Sequence, residues 1–290
     1  MKLPLLLNAL YNEPALITPD SHRSITRIIE ERLFNRVSVV GPVPSPGDIS
    51  AAGPVQIREP GVGVCGETVE VEGMEIDELG VAHIPIGGVL GQNLAPFQRG
   101  EGAVDVIEVM DELKQAAADD SVRGAVLLMD SPGGMYQGVP ECAAAIAGFD
   151  KPIFTFCRGL MGSGGYYLAA ATDGIFCTQT AIVGGIGAYL ARLDATRAFA
   201  MAGYKMEMFS SGKFKGMGYP GTALTPEQKA HLQASVDQIN ALFAAHVRAT
   251  RGEGITDDTM EGQTFYAPEA LERGLIDALV EALDEVLALF

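Results

Sequence analysis

From residue 81 onward, short apolar runs alternate with segments whose apolar residues recur at helical spacing. The runs have the length of buried strands, whereas the intervening stripes are typical of amphipathic helices. The predicted strands are 81–90, 122–129, 152–157 and 174–178, and the predicted helices are 104–118, 140–147 and 164–171. Strands that alternate with helices predict an α/β core in which neighbouring strands are largely parallel.

The C-terminal part continues this pattern less regularly. Residues 204–209 resemble a strand, and Thr225-Pro226-Glu227-Gln228 forms a capping box that starts a long helix. A short strand near residues 275–276 and an acidic helix that ends at Phe290 are predicted after it. We therefore expect residues 78–290 to form the main domain.

The first 77 residues differ in composition and are predicted to form an N-terminal extension. Residues 22–37 carry apolar positions at helical spacing, and residues 41–64 are rich in proline and glycine, as linkers are. The segment from Gly61 to Gly66 matches the GxGxxG pattern of dinucleotide-binding loops. The residues after it alternate like an exposed strand and do not start a helix, so we expect no dinucleotide there.

Composition excludes several classes of function. Apolar residues make up 48% of the 290 residues, which is enough for a substantial core, and the net charge of −17 opposes binding to nucleic acid or anionic membranes. The cysteines and histidines are scattered without a CxxC or HExxH pattern, so no metal and no cofactor are expected. The apolar runs are too short for a membrane anchor, and polar residues interrupt the apolar start too early for a signal peptide.

Two glycine-rich segments follow predicted strands and can carry chemistry. The segment Asp130-Ser-Pro-Gly-Gly134 can present backbone N–H groups, as an oxyanion hole requires, or can be an ordinary turn. In the second segment, residues 158–167, Ser163 stands between a strand and an apolar helix. A serine there is usually an N-cap, but it can be a nucleophile because a helix N-terminus favours developing negative charge. The residues alone leave both interpretations open.

A serine nucleophile needs a base, and the sequence offers few candidates. His83 is interpreted as a residue of an edge strand. Lys213 and Lys215 lie in a Gly/Ser-rich segment, where both can simply be solvated. A solvated lysine is protonated at neutral pH, but burial beside apolar groups lowers the pKa of a lysine and lets it accept a proton.

The order of these segments resembles peptidase family S49, the signal peptide peptidase A family of serine peptidases. The resemblance spans roughly residues 80–285 and is carried by the segments 84–90, 124–134, 163–171, 211–215 and 262–277. Residues 10–19 resemble the N-terminal segment of one branch of that family, the head-maturation proteases of tailed phages. Cellular members usually begin with a membrane anchor, which we do not expect here.

The resemblance implies an α/β fold similar to Clp protease and crotonase, a spiral of repeated ββα units. It also implies a Ser–Lys dyad, in which Ser163 is the nucleophile and Lys215, rather than Lys213, is the general base. The implied oxyanion donors are the backbone N–H groups of Gly133, Gly134 and Gly164. Related peptidases assemble into rings, so we expect a homo-oligomer.

One position departs from the family pattern. Many members carry a Thr-Gly-Ser-Ile-Gly-Val segment whose serine helps to orient the lysine, and Gly185 stands at that place here. We expect a water or a nearby hydroxyl, from Thr180, Ser210 or Ser211, to substitute, or the activity to be weak.

The phage branch implies a serine endopeptidase that cleaves scaffold or capsid proteins during head maturation, in the host cytoplasm or the viral procapsid. Three alternatives stay open: a bacterial peptidase that degrades signal peptides, a crotonase-like acyl-CoA enzyme, and a non-catalytic shell component. The first predicts membrane association, and the second does not need Ser163 together with Lys215. The third would keep its role after Ser163→Ala.

Overall fold

The computed structural model describes residues 15–17, 74–99 and 102–290. The helix predicted at 22–37, the linker at 41–64 and the GxGxxG motif lie outside these residues. The extension predicted for residues 1–77 therefore stays a prediction.

The helices and strands alternate along most of the described chain. The strands are β1 (Ala15–Ile17), β2 (Glu75–Ile76), β3 (Val81–Gly91), β4 (Ala103–Asp105), β5 (Gly124–Met135), β6 (Ile153–Gly162), β7 (Gly174–Cys177), β8 (Ile182–Gly184), β9 (Thr264–Tyr266) and β10 (Ala278–Leu279). The helices are α1 (Pro96–Arg99), α2 (Val106–Ala118), α3 (Val139–Ala147), α4 (Gly164–Ala169), α5 (Thr196–Met201), α6 (Pro226–Arg251), α7 (Ala267–Glu272) and α8 (Leu283–Leu287).

The described strands belong to one mixed sheet with the central order β10-β7-β6-β5-β3-β2. The neighbours from β10 to β3 are parallel, and β2 is antiparallel to β3. Short strands are added where the central strands end, with β4 on β3, β1 on β5 and β8 on β6. This arrangement confirms the predicted α/β class with a largely parallel sheet.

The sheet is covered on both faces, because alternate residues of a strand point to opposite faces. In β5, Ala125 and Leu127 belong to the main buried cluster, which includes Val109 of α2. Val126, between them, belongs to a second cluster with Val286 of α8. Burial on both faces explains why the strands read as continuous apolar runs.

Strand β5 runs further than its apolar run predicts. Its pairing with β6 ends at Ser131, opposite Met161. Beyond that point β5 continues to Met135, with β3 on one edge and β1 on the other. The segment Asp130–Gly134 is therefore part of a strand with two partners, rather than a strand-to-helix turn.

The region before α6 is largely irregular, and the strand predicted at 204–209 does not form. No described strand offers this stretch a partner. Exposed large apolar side chains are concentrated between residues 193 and 219, which we call the apolar segment: Leu193, Met201, Tyr204, Met208, Phe209, Phe214 and Tyr219. This surface is unusual for a single copy of a folded chain, because large exposed apolar patches mark interaction sites.

The long helix α6 begins as predicted. The Thr225 hydroxyl accepts a hydrogen bond from the Gln228 N–H at 3.2 Å, and the Gln228 side chain accepts one from the Thr225 N–H at 3.0 Å. Within α6, only Phe243 and Val247 are buried. The first half of the helix therefore projects from the core beside the apolar segment.

Candidate active site

The two glycine-rich segments converge where β5 and β6 end. The parallel register pairs Ser131 with Met161, so Gly133 and Ser163 each lie two residues beyond the last shared position. The start of α4 packs onto the same place, since a Cβ added at Gly165 would lie 3.2 Å from the Ser131 Cβ. Sequence positions 130–134 and 163–165 thus form one site at the carboxyl edge of the sheet.

Ser163 occupies a sharp turn between β6 and α4. It is buried, with 2% of its surface exposed, and its backbone angles are φ 51° and ψ −114°. A positive φ is rare for a residue with a side chain, and such strain is concentrated at functional sites. The serine stands at the N-cap position, but its side chain makes no capping hydrogen bond. Ser163 is therefore the N-cap by position only, because its hydroxyl makes no hydrogen bond within the described residues.

Strand β8 holds the backbone of Ser163 in this conformation. The Ser163 N–H donates a hydrogen bond of 2.7 Å to the Gly184 carbonyl oxygen, and the Gly185 N–H donates one of 2.6 Å to the Gln263 carbonyl oxygen. A Cβ added at Gly185 would lie 3.2 Å from the Ser163 nitrogen. The position where the sequence departs from the family pattern therefore touches the candidate nucleophile directly.

The other side of the site is the glycine segment of β5. Gly133 has a φ of 92°, which a side chain would disfavour. Its N–H donates a hydrogen bond of 3.1 Å to the hydroxyl of Ser131, which in turn donates one of 2.6 Å to the Gly88 carbonyl oxygen. The Gly133 N–H is therefore engaged in this state. Gly134 lies between Leu90 of β3 and β1.

Ser131 is a site residue that the sequence analysis missed. It is fully buried, and its hydroxyl fixes the glycine segment through the two bonds just described. A serine two residues before a glycine was an available signal, because serine hydroxyls often accept a hydrogen bond from the backbone two residues further on. Its position beside α4 depends on the register between β5 and β6.

Helix α4 is held by the C-terminal half of the chain. The Tyr166 hydroxyl donates a hydrogen bond of 2.9 Å to the Leu275 carbonyl oxygen. The next residue, Tyr167, stacks on His246 of α6 with 3.9 Å between ring centroids, and its carbonyl oxygen is 2.9 Å from His246 Nε2. Burial lowers the pKa of His246 below its ordinary value of 6.5, so the ring is a neutral donor to that carbonyl. These contacts fix the helix that follows Ser163.

The lysines lie in the apolar segment. Lys213 forms an ion pair with Glu227 at 3.1 Å, and its carbonyl oxygen accepts a hydrogen bond from Gln228. Lys215 is exposed, and its ammonium group makes no ion pair or hydrogen bond within the described part of the chain. The Ser210 hydroxyl donates to the carbonyl oxygen of Lys215, not to its side chain. Within the described residues, no hydrogen bond or ion pair joins Lys215 to Ser163.

His83 is engaged elsewhere. Strand β3 has a partner on each side at this residue, Glu75 in β2 and Val126 in β5, so the interpretation of His83 as an edge residue is wrong. Its Nε2 lies 3.0 Å from Asp77 Oδ2. Among residues 74–99 and 102–290, no cluster of three or more His, Cys, Asp or Glu side chains could hold a metal ion.

One family model and several known proteins match the part of the chain that contains Ser163. The family model described as "Peptidase family S49" matches residues 148–289, which include Ser163, Gly185 and Lys215. The chain is 32% identical over 211 residues to "Capsid assembly protease C" of Escherichia phage lambda, and 30% identical over 210 residues to "Head-tail preconnector protein GP5" of Enterobacteria phage P21. Each match covers 71% of this chain, but only 48% and 42% of the relatives.

A cellular relative and a solved structure extend the comparison. The chain is 24% identical to "Serine protease SPPA, chloroplastic" of Arabidopsis thaliana, over 69% of this chain and 30% of that protein. It is also similar to an enoyl-CoA hydratase/isomerase family member, with a TM-score of 0.45 and 20% identity over 74% of this chain and 73% of that one.

The match over residues 148–289 is to the family that the sequence motifs predicted, peptidase family S49. The chain spans less than half the length of the two phage relatives. In the part of the chain that the structure describes, no helix is long and apolar enough to cross a membrane.

Proposed function

We propose that the chain is a serine endopeptidase in which Ser163 is the nucleophile. The observation that carries this proposal is the state of Ser163 itself. It is a buried residue at a strained strand-to-helix turn, and its hydroxyl has no structural hydrogen bond within the described residues. Such strain persists only when surrounding contacts hold it, and here β8 and α4 do so. The match of residues 148–289 to a peptidase family model and the similarity to relatives named as proteases support the same role.

The proposed base is Lys215, supplied in an assembly of several copies. A lysine accepts a proton only when its ammonium form is disfavoured by removal from water. In a single copy Lys215 is exposed, and so are the large apolar side chains on either side of it, Phe209, Phe214 and Tyr219. Docking of this segment against another copy would bury these side chains and the lysine together. We therefore propose a homo-oligomer whose interface completes the site.

The proposed oxyanion donors are the N–H groups of Gly134 and Gly164. Gly164 is the first residue of α4, where backbone N–H groups have no partner within the helix. Gly133 can take part only if its N–H leaves the Ser131 hydroxyl. Two donors aimed at the developing charge are the usual requirement for acyl transfer.

The reaction then follows from these positions. The Ser163 oxygen attacks the scissile carbonyl carbon while Lys215 takes the hydroxyl proton. The tetrahedral oxyanion is stabilised by the glycine N–H groups. Its collapse breaks the C–N bond, and Lys215 returns the proton to the leaving amine. Water then hydrolyses the ester on Ser163 and regenerates the hydroxyl. The chain needs no cofactor for these steps.

The proposed substrates are scaffold or capsid proteins of a phage head, so the proposed place of action is the host cytoplasm or the procapsid. The support is the similarity to relatives named capsid assembly protease and head-tail preconnector protein. The phage-like segment at residues 10–19 agrees with it. A signal-peptide-degrading enzyme would instead favour apolar peptides over an unfolded acidic protein.

The test is cleavage of unfolded casein, followed by mass spectrometry of the fragments. Wild type is compared with Ser163→Ala and Lys215→Ala, and Lys213→Ala is the matched control because it removes a neighbouring lysine whose partner is Glu227. We expect cleavage in wild type and control, and a loss of at least about a hundredfold in the other two. Equal cleavage in all four chains would contradict the proposal, because the cleavage would then come from a different site or from a contaminating protease.

A further inference from the structure

Strand β1 is added to the candidate site from a distant part of the sequence. Ala15, Leu16 and Ile17 pair antiparallel with Met135, Gly134 and Gly133. These β5 residues include both glycines of the proposed oxyanion segment. A piece of the N-terminal region thus lies in extended conformation alongside the strand that would face the scissile bond.

The edge that β1 occupies is the one nearest Ser163. A strand has two edges, and at Gly133 and Gly134 one of them is taken by β3. The other edge belongs to β6 until Ser131 pairs with Met161, and it is free of β6 beyond that point. Since Ser163 follows two residues after Met161, an extended chain on the free edge passes beside the nucleophile.

We propose that this edge of β5, at residues 133–135, binds the extended polypeptide substrate, and that residues 15–17 are its occupant within the same chain. The inference rests on the peptidase function proposed above. Strand addition draws its affinity from backbone hydrogen bonds, so one edge accepts many sequences. The N-terminal segment and a substrate need the same edge and cannot bind it together. The N-terminal segment is therefore an autoinhibitory strand.

The sequence around β1 suits a strand that can leave. Pro14 and Pro19 flank the residues that pair, and a proline has no N–H to donate to a ladder. The pairing that the structure describes covers three residues. A longer substrate strand, with more backbone hydrogen bonds, can displace a ladder of three residues.

Proline substitutions in the full chain test the proposal. In an antiparallel pair, alternate residues direct their N–H groups to the partner strand. Of the two variants Leu16→Pro and Ala15→Pro/Ile17→Pro, one therefore removes N–H groups that donate to β5. The other removes N–H groups that point away from β5, and it is the matched control. We expect one of the two to raise kcat/KM on unfolded casein by about threefold or more, the equivalent of one backbone hydrogen bond. Equal kcat/KM in wild type and both variants would overturn autoinhibition.

A second readout does not need catalysis, so failure of the peptidase proposal and failure of this inference are distinguishable. In the Ser163→Ala chain, amide hydrogen exchange at residues 133–135 should speed up in the same proline variant and not in its control. A synthetic peptide with the sequence of residues 12–20 should then restore protection. Unchanged exchange in both variants, or no protection by the peptide, would overturn the inference even if casein is never cleaved.

Discussion

The Ser163 N–H donates a hydrogen bond of 2.7 Å to the carbonyl oxygen of Gly184, the residue before Gly185. This hydrogen bond holds the turn that contains Ser163 against β8. Gly184 and Gly185 both have positive φ angles, of 124° and 66°. The strain at Ser163 is therefore supported by a neighbouring segment that only glycine fits easily.

A serine at position 185 should destabilise the chain. Its Cβ would lie 3.2 Å from the Ser163 nitrogen, in a backbone conformation that side chains disfavour. We expect Gly185→Ser to lower the free energy of unfolding by about 1–3 kcal/mol, measured by urea denaturation. Gly254→Ser is the control, because nothing lies within 4 Å of a Cβ there. Equal stability of both variants, with faster casein cleavage by Gly185→Ser, would mean that this position tolerates the family serine.

Replacement of the nucleophile should separate stability from activity. Ser163→Gly and Ser163→Ala should both be inactive, but glycine relieves the positive φ. We expect Ser163→Gly to be the more stable of the two by about 1 kcal/mol, because relief of strain outweighs the greater chain entropy of glycine. Ser235 lies inside α6, where the order of stability should reverse. There we expect Ser235→Gly to be about 1 kcal/mol less stable than Ser235→Ala. The same order at both positions would argue against strain at Ser163.

The contact between α4 and α6 should weaken in acid. Burial lowers the pKa of His246 in the folded chain, so the unfolded chain binds this proton more tightly. The stability that the neutral ring contributes is present above its ordinary pKa of 6.5 and is lost as the pH falls through the lowered value. The difference in unfolding free energy between wild type and His246→Gln should therefore shrink between about pH 7 and pH 5. A difference that stays constant over this range would contradict the expectation.

The apolar segment should mediate assembly. Phe209 is 94% exposed, so Phe209→Ser should leave the urea denaturation of a single copy unchanged. It should shift sedimentation velocity profiles toward smaller species and slow casein cleavage at the same time. Leu289→Ser, at an exposed apolar residue near the C-terminus, is the control. If both variants assemble and cleave like wild type, the apolar segment is not the interface that completes the site.

Much of the fold could be predicted from local patterns. The apolar runs locate β3, β6 and β7 to within a few residues of their start, because buried parallel strands are apolar on both faces. The capping box at Thr225 predicts the start of α6 from four residues alone. The parallel sheet also explains why Ser163 and the glycines of β5 meet, since the carboxyl ends of parallel strands share one edge.

The remaining features depend on contacts that no local pattern encodes. The positive φ of Ser163 depends on its bond to Gly184, and the pairing of Leu16 with Gly134 joins residues far apart in the sequence. Residues 204–209 alternate like a strand, but no described strand pairs with them. The proposed pairing of Lys215 with Ser163 would form between copies of the chain, so no local pattern and no contact within one copy could predict it.

The most direct measurement is to trap the acyl-enzyme on Ser163. Wild type and Ser163→Ala are incubated with an activated ester of a short peptide, quenched in acid and examined by intact mass and peptide mapping. We predict one acyl group on wild type, located at Ser163, and none on Ser163→Ala. An acyl group at another residue, or equal labelling of the two chains, would contradict the assignment of Ser163 as the nucleophile.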